Sequence, residues 1–166
     1  EFRSGLVGSE LGIVDCFLPV SLGTTASAVV TDVWFGPDDR AFIRPSDRFY
    51  VAERDEASDL YRWIAPEAVA TVYLPASQGR VLIEGWIPDN FYRLPLVVSL
   101  EWNGTLVASV DVTTPRFRIE QDLPGSVEEP WGELRIRSSQ SFVPDELQGN
   151  GDPRTLAARI YTLTLD

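Results

Sequence analysis

Short runs of β-branched and aromatic residues alternate with clusters of Gly, Pro, Asn and Asp along nearly the whole chain. That pattern predicts strands and turns with almost no helix. Residues 29–35 and 49–52 read as two early strands, set off by Gly36-Pro37-Asp38-Asp39 and Pro45-Ser46-Asp47 as turns. The acidic stretch Arg54-Asp55-Glu56-Ala57-Ser58-Asp59-Leu60-Tyr61 is expected to carry one helical turn, and Pro66 stops any helix from growing beyond it. Strands follow over 72–74, 81–87 and 96–102, punctuated by Pro75, Gly79, Pro88 and Pro95.

The alternation within these runs says which way side chains face. Leu96, Val98, Leu100 and Trp102 fall on one parity and Val97, Ser99 and Glu101 on the other, so the first set is buried. Asn103-Gly104 is the strongest hairpin signal, because both central residues of a type I′ turn need positive φ. A strict two-residue hairpin sets Val107 opposite Leu100, whereas the alternation Leu106, Ala108, Val110, Val112 favours the other face. The two agree only with a bulge or a longer loop. Phe117 with Ile119, and Leu134 with Ile136, mark two more one-sided strands. In the terminal run, Leu156, Ala158 and Ile160 share one parity and Leu163 and Leu165 the other, which predicts a bulge near Tyr161 and Thr162. Roughly ten short strands at this spacing argue for an all-β fold, an antiparallel β-sandwich with a jelly roll preferred. With no repeat, low-complexity tract or linker, residues 1–166 read as a single domain.

Composition narrows the chemistry. A single cysteine, Cys16 in an apolar run, excludes an intrachain disulfide and a multi-thiolate zinc site; the absence of histidine removes imidazole ligands and every triad with a histidine base. The formal net charge of -11, from 14 basic and 25 acidic residues, opposes nucleic-acid binding. No apolar run approaches the ~20 residues of a membrane helix, so direct membrane insertion is not expected. A chain that starts Glu-Phe reads as a piece of a larger protein, which leaves the compartment of the parent open.

Several islands resemble a β-sandwich module appended to bacterial glycan-biosynthesis and glycosyltransferase-type proteins. They are Tyr50-x-x-Glu53, Arg62-Trp63, the Pro95 to Gly104 segment, and Phe142-Val143-Pro144 followed by Asp152-x-Arg154-x-Leu156. The resemblance spans Tyr50 to the C terminus and leaves residues 1–49 unplaced. It implies a non-catalytic domain similar to carbohydrate-binding modules, and carries no ligand residue across.

Sugars are held by aromatic faces against their C–H surfaces and by planar polar groups on their hydroxyls. The stretch Trp86 to Tyr92 joins Trp86, Phe91 and Tyr92 to Asp89 and Asn90, and is the leading candidate for such a surface; Trp63 is a further candidate that reads first as core. Trp34, Trp102 and Trp131 complete the tryptophans, Trp102 as core and Trp131 at a loop tip. The loop before the last strand gathers Asp145, Glu146, Asn150 and Asp152, and Asp145, Asn150 and Asp152 are candidate calcium ligands in a pattern that is not an EF-hand. Asp152 also suits a turn role, with Arg154 pairing Glu53 as a structural ion pair. Paired carboxylates for glycoside hydrolysis form another reading, although a chain with 25 acids brings some pair to that distance by chance. The expected function is therefore a non-catalytic, carbohydrate-binding or glycan-positioning accessory domain. The alternatives are a structural domain docking on other domains of its parent, and a two-carboxylate glycoside hydrolase.

Overall fold

The computed structural model describes residues 40–88 and 90–166. The expected strand at 29–35, Cys16, Trp34 and the candidate sugar ligand Asp89 lie outside the described residues. Within them are eight strands, β1 (Phe42–Arg54), β2 (Leu60–Tyr73), β3 (Gln78–Trp86), β4 (Leu96–Trp102), β5 (Thr105–Val112), β6 (Arg116–Pro124), β7 (Trp131–Ser138) and β8 (Ala158–Leu165), and one short helix, α1 (Pro144–Gln148). Every pairing is antiparallel.

β2 organises the sandwich. Its first half pairs with β8 through Arg62–Ile64 and its second half with β7 through Glu67–Tyr73, while β1 runs along its other edge. One sheet therefore continues from β2 through β7 and β4 to β5, and the other through β8 and β3 to β6. Pro66 sits at the fork, between the two ladders, where its missing N–H breaks no pairing. Across the gap Trp102 closes one end, its indole N–H donating to the Pro124 carbonyl at 2.8 Å. Gly132 makes room for that ring, since a Cβ there would lie 2.1 Å from Trp102 Cη2.

Even-numbered residues of β2, Ile64, Ala68, Ala70 and Val72, face inward together with Val81, Ile83, Leu100, Leu134 and Ile136, all essentially inaccessible. Each large aliphatic here removes enough apolar surface from water that truncation to Ala costs about 2–5 kcal/mol. The opposite face of the β2–β7–β4 sheet is solvated by ion pairs: Arg135 and Arg137 both meet Glu67, and they reach on to Glu133 and Glu101 respectively.

Two predicted irregularities occur where parity demands them. Trp102 pairs with Thr105 across Asn103-Gly104, and the register then slips, with Glu101 opposite Leu106 and Leu100 opposite Ala108, so that Val107 is the bulged residue. In β8 the register moves from Glu84 opposite Thr162 to Gly85 opposite Ile160, leaving Tyr161 as the extra residue. That single insertion lets Ile160 and Leu163 both face the core.

Three local expectations are corrected. The stretch 54–61 forms no helical turn; it is the β1–β2 hairpin turn, in which Asp55 Oδ1 accepts from the amides of Ala57 and Asp59 and so holds a bend that a helix would unwind. Pro45-Ser46-Asp47 is not a turn between strands but part of β1, where successive register shifts absorb the proline and the left-handed Arg48 (φ 58°) on an edge strand. Leu106, expected to face inward, is 60% exposed because the bulge at Val107 turns it out.

Candidate functional site

Inward-facing residues on β3, β6 and β8 leave Trp86, Arg116 and Arg159 pointing outward, and the registers put them side by side. Trp86 lies opposite Arg116 on one flank and Arg159 on the other, and Arg159 lies opposite Trp63. The outer face therefore carries a cross-strand row, Arg116, Trp86, Arg159, Trp63, contributed by four strands. Arg159 is the centre of the row. Its guanidinium stands 4.6 Å from the ring centre of Tyr61, 4.9 Å from Trp63 and 4.7 Å from Trp86, a cation between aromatic faces.

The loop between β7 and β8 explains why Tyr61 and Trp63 are buried although they project from the outer face. Phe142 and Leu156 exchange backbone hydrogen bonds at 2.9 and 2.8 Å, pinching the loop shut at its base, and the Ala157 amide continues onto the Ile64 carbonyl. The Phe142 ring stacks on Phe91 at 4.7 Å and meets Trp63 and Tyr92 edge-on. Pro144 opens α1 and the left-handed Gly149 ends it, so the loop turns back over the sheet within a few residues.

Three adjoining depressions open on this face, of about 550, 360 and 430 Å³, and Trp86 lines all of them. The 360 Å³ depression brings together two regions far apart in sequence: Trp63, Trp86, Asn90 and Phe91 on one side, Asn150 and Asp152 on the other. Glu84 and Arg118 border the largest one, Asp55 and Glu56 the third. Trp86 and Phe91 are half-buried and Asn90 is exposed. Tyr92 is placed differently from the expected sugar contact. It is turned into the core at 8% exposure, its hydroxyl donates toward the carbonyls of Leu156 and Ala157 at 3.0 and 2.7 Å, and burial pushes its ionisation well up. It anchors the loop from beneath.

The polar loop residues have partners of their own. Both Asp152 carboxylate oxygens accept from the Arg154 guanidinium, at 2.8 to 3.1 Å, and Arg154 Nη1 also donates to Glu53 at 2.7 Å. Glu53 in turn accepts from the Tyr61 hydroxyl at 3.0 Å, so this chain of bonds ties the loop to β1 and β2. Asp145 Oδ1 accepts from the Gly151 amide and Asn150 Oδ1 from the Asp152 amide. Asp145, Asn150 and Asp152 thus do not pool free oxygens in the way a calcium ion requires, and a cation would have to compete with a guanidinium for Asp152. Among the described residues no three His, Cys, Asp or Glu side chains converge as a metal-binding group.

The ionisation of the nearby acids bears on the hydrolase reading. Asp152 is held below the ordinary range by its bonds from Arg154, Glu84 by the Thr162 hydroxyl and then Arg118, and Asp55 by amide bonds that outweigh its desolvation. All three move toward the ionised form, the opposite of what a general acid needs.

The sequence singled out Trp86, Asn90, Phe91 and Trp63 but missed Tyr61, Arg116 and Arg159. Outward parity on β3, β6 and β8 was a usable signal for the last two, yet nothing in the sequence states which strands are neighbours.

No protein-family model and no curated protein matches the sequence. In structure the chain is similar to a family 35 carbohydrate binding module from an environmental isolate, with a TM-score of 0.50 and 8% identity over 75% of this chain and 91% of that one. It is also similar to the native family 35 carbohydrate binding module from Clostridium thermocellum, with a TM-score of 0.44 and 12% identity over 76% and 92% of the two chains. Likeness at this identity concerns architecture, and the architecture is an all-β, antiparallel β-sandwich of the jelly-roll kind.

Proposed function

We propose that this chain is a non-catalytic carbohydrate-binding domain whose binding surface is the outer face of β2, β8, β3 and β6, centred on Trp86. The observation that carries this reading is the convergence of three depressions on one half-buried tryptophan, flanked by Asn90, Phe91 and charged side chains. An indole plane covers the C–H face of a sugar ring, while planar amides, carboxylates and guanidinium groups bond hydroxyls in pairs. The fold shared with a carbohydrate binding module is in keeping with that use, though a fold by itself does not set a ligand. The islands from Tyr50 onward resemble a module appended to bacterial glycan-biosynthesis or glycosyltransferase-type proteins, and in such a parent the domain would position glycan for a catalytic neighbour.

Calorimetry of the full chain against a glycan panel tests the reading. Binding of at least one glycan, with about tenfold or greater weakening on Trp86→Ala, is the expected result. Binding that survives Trp86→Ala at full strength, or no binding across the panel, would sink it.

A second observation favours docking on a neighbouring domain. On the outer face of the other sheet Phe42 stacks on Tyr73 at 5.5 Å and Trp131, 49% exposed, leans on both rings at 5.6 and 4.9 Å. Such a cluster suits a flat protein contact, on the face away from Trp86. In the parent protein Trp131 should then lose its accessibility to fluorescence quenchers while Trp86 keeps it.

A further inference from the structure

We infer that the glycan this surface takes is an anionic one, and that Arg159 and Arg116 bind its charged oxygens on either side of Trp86. The inference rests on the proposed carbohydrate-binding reading and deepens it. Most arginines on this side of the molecule are already neutralised: Arg118 by Glu84 and Glu120, Arg154 by Glu53 and Asp152, Arg80 by Asp122. Arg159 and Arg116 beside Trp86 are not, nor is Arg54 at the far rim of the third depression, which bonds only the Ser58 carbonyl among the described residues. Neither Arg159 nor Arg116 forms a salt bridge with any described residue, although the chain as a whole carries 25 acids.

For Arg159 the lack of an anion is costly. Its guanidinium is held against three aromatic rings, and its Nε is buried with no hydrogen-bond partner among the described residues. Stacking stabilises the cation through the ring faces and the Tyr161 hydroxyl interacts with the guanidinium, yet the Nε–H, which lies in the guanidinium plane, has no acceptor among the described residues. Asp55 and Glu56 border the same depression, yet Asp55 is already engaged: Oδ1 accepts from two amides and Oδ2 from the Tyr161 hydroxyl at 3.1 Å. Asp55 feels the charge of Arg159 but forms no salt bridge with it, and these acids disfavour a second anion placed beside the β1–β2 turn. An incoming oxyanion is therefore steered toward the Trp86 side, where Arg116 lies opposite the same tryptophan. A sugar ring on the indole would carry its carboxylate, sulfate or phosphate ester between two planar, always-charged donors, the geometry that suits bidentate recognition.

The test compares matched probes on the full chain by calorimetry: oligogalacturonate for carboxylate, chondroitin sulfate fragments for sulfate, cello- and galacto-oligosaccharides as neutral counterparts, and inorganic phosphate for a free oxyanion. The expected result is a preference for one charged glycan that weakens with added salt. Arg159→Gln should lower that affinity about tenfold or more, the scale of a lost charged hydrogen bond, and by clearly more than it lowers the affinity for neutral glycans. Arg116→Gln, at an exposed position where folding is not at stake, should act in the same direction; Arg159→Lys should recover only part of the loss. Equal affinity for charged and neutral glycans, with Trp86→Ala still abolishing both, overturns the anionic preference and leaves the carbohydrate reading standing. Phosphate binding as tightly as any glycan overturns it too, in favour of a simple anion site. No binding by any saccharide overturns both readings.

Discussion

At the residue scale two tyrosines beside the candidate site have opposite fates, and that contrast is testable. Tyr61 reaches the surface network through its hydroxyl bond to Glu53, whereas Tyr92 is locked under the loop by two backbone carbonyls. Tyr92→Phe leaves the ring and removes a buried donor, so unfolding in urea should show a loss of about 1–2 kcal/mol with glycan affinity unchanged. Were affinity to fall while stability held, the placement of Tyr92 beneath the site would be wrong. Arg154 occupies the intermediate case. It is partly exposed, but it bridges Glu53 and Asp152 and lies 5.3 Å from the centre of the Tyr50 ring, so Arg154→Ala removes packing as well as charge. A drop of about 1–3 kcal/mol, with the loop more open to proteolysis, is the expected outcome.

At the element scale the function proposed above depends on β8 more than on any loop. Arg159 and Tyr161 reach the outer face by alternation about Ile160, and the bulge at Tyr161 then returns Leu163 to the core. Deleting Tyr161 would place Ile160 and Leu163 two positions apart, so strict alternation would keep Ala158, Ile160, Leu163 and Leu165 on the core face without a bulge. The deletion variant should therefore still unfold cooperatively on heating, and Tyr161→Phe, which keeps the residue count, should melt within a few degrees of the original; loss of the cooperative transition on deletion would show that the bulge itself is needed. Elsewhere the packing of β7 against the β4 hairpin rests on Gly132. Gly132→Ala would press a methyl into Trp102 and is expected to cost about 1–3 kcal/mol in urea unfolding, detectable as a red shift if the indole is pushed toward water.

At the scale of the whole molecule the acids matter collectively. Asp55, Glu84, Asp122 and Asp152 all have native ionisation below their ordinary values of 3.8 or 4.5. The unfolded chain consequently takes up protons first as the pH falls. Their contribution to stability is complete above about pH 4.5 and is lost progressively as the pH drops through the lowered native values. Urea midpoints should thus be insensitive to these groups between pH 6 and 5 and fall steeply below 4.5, with Asp152→Asn flattening part of that fall. Calcium offers a complementary measurement. Because Arg154 occupies both oxygens of Asp152, melting temperatures in EDTA and in millimolar Ca²⁺ should coincide; a rise with calcium would show that the ion displaces the guanidinium. No helix among the described residues is long and apolar enough to cross a membrane.

Local information sufficed where one strand and its nearest turn decide the outcome. Alternation from Leu96 to Trp102, the positive φ demanded at Asn103-Gly104 and the parity change after Ile160 determined an all-β chain, most of its core and both bulges, since side-chain direction in a strand has a period of two whatever the partner. It failed at Pro45-Ser46-Asp47 and at 54–61, where turn-forming residues were absorbed into an edge strand and a hairpin end, because propensity cannot report a neighbouring strand. The candidate site belongs to this second kind. Trp86 and the 145–154 loop were visible as separate aromatic and polar stretches. Only the forking of β2 and the order of β6, β3 and β8 brought Arg116, Trp86, Arg159 and Trp63 into one row, since cross-strand adjacency is a property of register between segments and not of any segment alone.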